Sequence, residues 1–591
     1  MQKSSKSIAV LPFVNMSNDV NNEYFSDGIT EEIINALTNI KELKVIARTS
    51  SFAFKGKQVD IRKVGKQLNV ATILEGSVRK AMNRVRITAQ LIDASDGTHY
   101  WSKNFDRELD DIFKLQDEIS LLIANEVRNN FGHFDIQDHL VTEVTSNIEA
   151  YELFLKGRYY QLQWTPDALR EAINYYNKAI EKDKNYAKAY YANLQCFGLL
   201  AAWGYMPYQE GIEQAERNFL IAKELDTQLP EYPLSFVGKT FWGEWDFKSA
   251  YGYIEQVLAI NPNHIDGLEA MAELFIAHGL FDQAENYARK LLDIDPLSAN
   301  NHYTLAHIYY YQKDFKTALT HVNRALRIRP DLELAKHLQA LCLLWLNKKE
   351  EFENATKYNP LYQLQTILFQ VINENNQSLS ETLIESWKDV DKERSQLAPY
   401  ELFILANSAH KTEAFNLLKK YIEQRRGQII NYRQDPLLEP LKQFKSFENL
   451  HTSNFSIDDV SELNVEKANN KLIIDPTEQI ALKKKLVDYI EDETPYLDSQ
   501  LNLKFVADAL EIHPNKLSYL INEVMGVNFN EFINQYRLKH FKSIALKPEL
   551  KHITILGLAY DSGFNSKSVF NTFFKKSEGV TPSKWVQLHS I

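Results

Sequence analysis

Between residues 247 and 340 the sequence repeats itself every 34 residues. Phe247, Phe281 and Phe315 keep that step, as do Ala250, Ala284 and Ala318, Pro262, Pro296 and Pro330, and Ala272, Ala306 and Ala340. A unit of this length holds two helices with their turns but cannot bury a core alone, so each unit must stack on the next. Alanine lets antiparallel helices approach closely, an aromatic plugs the seam between neighbouring units, and proline follows the second helix, which it cannot continue. The period predicts an all-α solenoid that begins near residue 148 and runs to about 350. It loosens upstream, where Lys184 and Thr227 stand at the positions of the proline. Helical, non-repeating sequence continues to "DPLLEPLKQFKSFENL", so residues 148–450 read as one helical region.

This period and residue pattern resemble the tetratricopeptide repeat, and residues 435–450 resemble a segment that closes such arrays. Solenoids present concave surfaces, so a protein or peptide partner in the groove is expected.

Residues 7–130 change character. "SIAVLPF" and "LKVIART" read as strands, "VDIRKVGKQL" as a short helix, "ATILEGSVRKAMNRVRITAQLIDASDG" as a hairpin turning near Met82–Asn83, and "DDIFKLQDEISLLIANEV" as an amphipathic helix. "SDGITEEIINAL" reads as a helix whose Asp27, Glu31 and Glu32 form an acidic first turn that favours its dipole. A compact α/β domain is expected. "AVLPF", "EYFSDGITEEI", "VIARTSSFAFKGK", "LEGSVRK", "RITAQLIDASDG" and "FDRELDDIF" resemble the TolB-like domain that precedes tetratricopeptide repeats in bacterial regulators and cyclase-associated proteins. That resemblance implies a fold and a context, not a chemistry.

At 591 residues the chain has room for three or four domains. Its two cysteines, Cys196 and Cys342, have no CxxC spacing, which argues against a disulfide framework or a zinc site and for a reducing compartment. Runs such as "CFGLLAAW" and "LQALCLLWL" fall well short of the roughly 20 residues that span a bilayer, so a cytoplasmic protein without a membrane segment is expected. "FKGKQ" lacks the phosphate-loop pattern, and neither HExxH nor GxSxG occurs. His302 and His307, five apart, are one residue too far for a shared helix face and read as repeat packing or surface. No catalytic constellation, cofactor or metal site is expected.

The formal charge is -11, yet residues 504–591 carry eleven Lys/Arg against seven Asp/Glu, a net of +4. A basic end on an acidic body points to an anionic partner. Residues 451–475 are polar and read as a linker to a last domain at 476–591. There a plan occurs twice: a helix at 503–510, a break at His513–Pro514 and a helix at 515–525, then a helix at 553–561, a break at Ser562–Gly563 and a helix at 566–577. Each has the layout of a helix-turn-helix, packed through Val506, Ala507 and Leu510 or through Leu556 and Ala559. "NFNEFINQYRLKHFKSIAL" joins them as a long helix with Phe529, Phe532, Ile533 and Tyr536 on one face.

Two such units on one helix, with "ILGLAYDSGFNSKSVFNTFFKKSEGVTPSKW" as the most specific stretch, resemble the DNA-binding domain of AraC-type transcription regulators. The sequence departs from that pattern at Trp585–Val586–Gln587, where an aromatic-Arg ending is usual. In the second recognition helix Phe570, Phe573 and Phe574 are expected to point inward. Lys567, Ser568, Asn571 and Thr572 are then placed to reach base edges, and Lys575 and Lys576 to meet phosphates. In the first unit Leu517 and Leu520 point inward, and Asn515, Lys516, Ser518, Tyr519 and Asn522 are the candidates for DNA. The expected protein is a multidomain transcription regulator: an N-terminal α/β domain, a central all-α solenoid, and a C-terminal all-α double helix-turn-helix on double-stranded DNA, with pairing of two copies open. The competing reading is a tetratricopeptide scaffold without specific DNA binding.

Overall fold

The computed structural model describes residues 6–17, 19, 22–141, 143–163, 165–202, 205–374, 398–451, 455, 475–550 and 552–589. The chain divides into two compact units, one of Ile8–Gln116 with Val141–Lys467, the other of Met1–Ser7, Asp117–Leu140 and Ala468–Ile591.

The larger unit opens with a six-stranded sheet: β1 (Ser7–Val10), β2 (Val14–Asn15), β3 (Lys44–Val45), β4 (Thr72–Ala81), β5 (Arg84–Asp93) and β6 (His99–Glu108). Their order is β3-β1-β4-β5-β6, with β2 also on β4. β1 pairs with β4 in parallel, Ile8 opposite Thr72, and β4–β5–β6 form an antiparallel meander. The hairpin turns at Met82, as expected, with φ 52°. β6 was not legible as a strand: of its ten residues only Phe105 is buried. It is the edge strand, and its exposed charges discourage pairing with another chain.

α1 (Glu23–Thr38) starts three residues earlier than the sequence pattern implied, which corrects the reading of its acids. Asp27, Glu31 and Glu32 lie past the first turn and answer to specific cations. Lys55 Nζ donates to both Asp27 oxygens at 2.6 and 2.7 Å. Glu31 is buried between Arg158 Nε (2.9 Å) and Arg48 Nε (3.2 Å), and Lys188 reaches Glu32 at 3.4 Å. Burial opposes the Glu31 charge, but Arg158 and Arg48 hold its carboxyl below its ordinary value. Arg158 and Lys188 belong to the first solenoid helices, so these pairs clamp the α/β domain to the array. The Ala47 amide adds a hydrogen bond to the Ile294 carbonyl at 2.8 Å.

The array follows the 34-residue period: Phe247–Ile260, Ile265–Ala277, Phe281–Ile294, Ala299–Tyr311, Phe315–Ile328 and Glu333–Trp345 are its central helices. Ala250, Ala284, Ala318, Ala272 and Ala306 are fully buried at the crossings. His302 is buried beside the His321 ring, and His307 bonds Tyr311, so both serve repeat packing. Leu437, Leu438 and Leu441 of Pro436–Gln443 enter the array core. Cys196 and Cys342 are buried free thiols, pushed up to about 12 by burial. Most of the expected linker at 451–475 lies outside the described residues. Phe455 is described and is buried with its ring 5.2 Å from that of Tyr251 and 4.9 Å from that of His278. Among the described residues no helix is long and apolar enough to cross a membrane, and no group of three or more side chains could hold a metal ion.

The smaller unit is helical. Pro476–Asp492 leads into Leu503–Ala509 and Pro514–Tyr519, the latter continued by a wider π turn over Leu520–Val524. The joining helix is Phe529–Ala545, followed by Ile555–Asp561, Lys567–Glu578 and Pro582–His589. Its amino half gives Phe529, Phe532 and Ile533 to one core, and its carboxy half gives Leu538, Phe541 and Ile544 to another. Leu558, not Leu556, is the leucine that Ile555–Asp561 buries beside Ala559.

Candidate nucleic-acid interface

The second helix-turn-helix is built from local signals. The Thr554 hydroxyl accepts from the Gly557 amide at 3.0 Å and starts the first helix. Gly563 makes the turn at φ +87°, and a Cβ there would lie 2.1 Å from the Tyr496 carbonyl oxygen, so glycine is required twice over. Ser566 caps Lys567–Glu578 by accepting from the Val569 amide at 3.2 Å, and Gly579, at φ +73°, ends it. Phe570 and Phe574 are buried against Phe541, with ring centroids 4.8 and 5.6 Å away, and Trp585 stands 6.0 Å from Phe574. Burying each such ring is worth roughly 1.5–3 kcal/mol, which fixes the rotation of the helix about its axis.

With that rotation fixed, Lys567, Ser568, Asn571, Thr572, Lys575 and Lys576 are all exposed. Positions 567, 571 and 575 are four apart and line one stripe, with 568, 572 and 576 beside it. Lys575 and Lys576 sit in the last turn, where cations also suit the helix dipole. Lys576 is paired with Glu531 of the joining helix at 3.1 Å.

The first unit differs. Its turn residue is Glu511, a non-glycine at φ 56°. His513 caps the second helix, Nδ1 accepting from the Asn515 amide at 3.2 Å. Leu517 and Leu520 are buried as expected, but Ser518 is buried too, and Asn515, Lys516, Tyr519 and Asn522 are only partly exposed. Lys516 is ion-paired with Glu478 of the lead-in helix.

Part of the cover comes from the end of the helix Ile112–Phe131 and the residues after it. The Asn515 amide is used on both sides: Oδ1 accepts from the Arg128 guanidinium and from the Ile136 amide at 3.3 Å, and Nδ2 donates to the Ile136 carbonyl at 3.1 Å. The His133 ring stands edge-on to Tyr519, centroids 5.6 Å apart. Asn528 and Asn530 donate to the carbonyl and side-chain oxygens of Asn130 at 3.1 and 2.9 Å. His513 and Asp138 approach to 3.6 Å. Arg128 is 1% exposed, and its Nε has no hydrogen-bond partner. Burial pushes its guanidinium down to about 10.

Both units lean on one loop. Arg537 of the joining helix donates Nε to the Tyr496 carbonyl and an Nη to the Asp498 carbonyl, each at 2.8 Å, while Gly563 closes on Tyr496 and Leu497 from the other side. Burial pushes the Arg537 guanidinium down to about 10. Sequence reasoning missed Arg537, Glu531 and the covering residues; the buried Arg on an otherwise amphipathic helix was the one available signal.

A helix-turn-helix domain model matches residues 506–587, spanning both units. A model for the second domain of HilA/YgeH-like transcriptional regulators matches residues 4–122, and one for anaphase-promoting complex, cyclosome, subunit 3 matches residues 277–357. The chain is similar to "Putative adenylate cyclase 3" of Rhizobium meliloti (strain 1021), 45% identical over 184 residues that make up 31% of either chain. It is also similar to "Uncharacterized HTH-type transcriptional regulator YijO" of Escherichia coli (strain K12), 33% identical over 111 residues, 19% of this chain and 37% of that one. The chain thus spans about a third of the length of these two relatives. Among solved structures, YrrB, titled a TPR protein with an unusual peptide-binding site, is 20% identical, covers 33% of this chain and 98% of its own, and has a TM-score of 0.21. The chain carries a carboxy-terminal helix-turn-helix domain behind a tetratricopeptide-type helical array.

Proposed function

We propose that the chain is a sequence-specific DNA-binding transcription regulator whose carboxy-terminal domain reads double-stranded DNA in the AraC manner. The observation that carries this is the exposed stripe of Lys567–Glu578 on a helix locked by Phe570 and Phe574. Lys567, Ser568, Asn571 and Thr572 are assigned to base edges in a major groove, and Lys575 and Lys576 to phosphates. Asn515, Lys516, Ser518, Tyr519 and Asn522 are assigned to the second groove segment, about one helical turn or 34 Å away. Receipt of a signal by the TolB-like domain and the solenoid, through a protein or peptide partner, belongs to the same reading, as does a cytoplasmic location. Pairing of two copies on an operator is compatible with it.

A gel shift of the full chain against genomic fragments over a salt series tests it. Specific fragments are expected to outlast bulk DNA as salt rises, with Lys567→Ala and Thr572→Ala losing discrimination while the fold persists. Equal retention of all fragments at moderate salt would reject the regulator and leave the scaffold reading.

A further inference from the structure

We infer that residues 128–138 mask the first helix-turn-helix, so that the protein as described offers DNA only its second recognition helix until this segment is displaced. The inference rests on the DNA-reading proposal for the function of the mask, but the mask itself is a separate, DNA-free property.

Three observations converge. Asn515, Tyr519 and Asn522 lie at spacings of four and three, hence on one face of the helix, and all three meet the segment: Asn515 at Arg128 and Ile136, Tyr519 at His133, and Asn522 near Gly132, where an added Cβ would stand 3.7 Å from Oδ1. A base edge would have to occupy that same side of the helix. The Asn515 amide, which could pair with an adenine, has its donor and acceptor already engaged. The equivalent side of Lys567–Glu578 is exposed from Lys567 to Lys576, so the asymmetry belongs to the mask and not to the domain plan.

The mask is built to come off. The side chains that bridge it to the first unit are amides, a guanidinium, two imidazoles, a phenol and a carboxylate, and Phe134 and Ile136 are the apolar side chains it buries. Arg128 is buried without a carboxylate in hydrogen-bonding contact and with an idle Nε, a costly arrangement that displacement would relieve. The helix Ile112–Phe131 also joins the two compact units of the chain, its first residues in one and Asp117 onward in the other. A change sensed in the larger unit therefore has a covalent route to the mask.

The test opens and locks the mask without altering a candidate DNA contact. The opening variant is Asn130→Ala with His133→Ala in the full chain. The locking variant is Asp138→Cys with His513→Cys, joined by a bis-maleimide whose linker a reductant cleaves; Cys196 and Cys342 are buried and should not compete. The probe is a duplex of about 40 base pairs selected from a random library by the opening variant, long enough for two groove segments one turn apart. The expected results are a footprint on one groove segment for the native chain, on two for the opening variant with at least tenfold tighter binding, and on one for the opening variant that also carries the locking cysteines and linker, returning to two when the linker is cleaved. Hydrogen exchange without DNA should show faster exchange at residues 515–522 in the opening variant. Unchanged exchange there, or a two-segment footprint from the native and locked chains alike, would overturn the mask. Faster exchange with no specific footprint from any variant would uphold the mask and reject the DNA reading.

Discussion

The two helix-turn-helix units share a joining helix and a layout, yet they solve the same turn differently and end up differently exposed. The second unit turns on Gly563, runs a regular helix to the Gly579 cap, and leaves a polar stripe open. The first turns on Glu511 in a left-handed conformation that a side chain disfavours, loosens into a π turn at Leu520–Val524, and is covered on its outer face. π turns and strained backbone gather where a protein has to move or bind. The pair therefore reads as one unit finished for recognition and one held in reserve.

Substitutions from the core outward test this difference between the units. Phe574→Ala should cost roughly 3–5 kcal/mol and melt the second unit, lowering the midpoint of its thermal unfolding. An undiminished midpoint would remove the ring from its anchoring role. Gly563→Val, strained by φ and by the Tyr496 carbonyl, should cost about 3 kcal/mol and reduce the solubility of the domain. Glu511→Gly should act in the opposite direction and stabilise the first unit by about 1 kcal/mol, visible as slower exchange over 503–521. If it destabilises, the left-handed turn is not where that unit is strained. Lys575→Ala should flatten the dependence of affinity on salt by about one counterion, whereas Lys576→Ala should do less, because Glu531 already neutralises it. Glu531→Gln should then raise affinity about twofold at low salt and leave it unchanged at high salt. Equal effects of the two lysine variants would mean that the Glu531 pair does not persist in solution.

Much of the second unit is written locally. Phe570, Phe573 and Phe574 set a helical face, Thr554 and Ser566 are caps, and the glycines mark turn and exit, so the recognition stripe could be laid out from spacing alone. The 34-residue period did the same for the array. What stayed hidden depends on distant partners. Asn515 meets Ile136 across 379 residues, and asparagine, equally at home at a cap, on a surface or against a base, carries no mark of which. Glu31 looked like a helix-dipole residue because Arg158 is 127 positions away. β6 escaped because an edge strand with one buried side chain has no alternation to read.

The loop at Pro495–Asp498 has a consequence for the DNA itself. Arg537 bonds the joining helix to the Tyr496 and Asp498 carbonyls, and the turn at Gly563 lies close against Tyr496 and Leu497, so packing on one loop restrains the separation of the two recognition helices. On the proposed reading, the operator must then be in phase with the protein. Inserting about five base pairs between its two halves would turn one of them to the far side of the duplex, and inserting about ten would restore the face but not the reach. A regulator of this design measures distance as well as sequence.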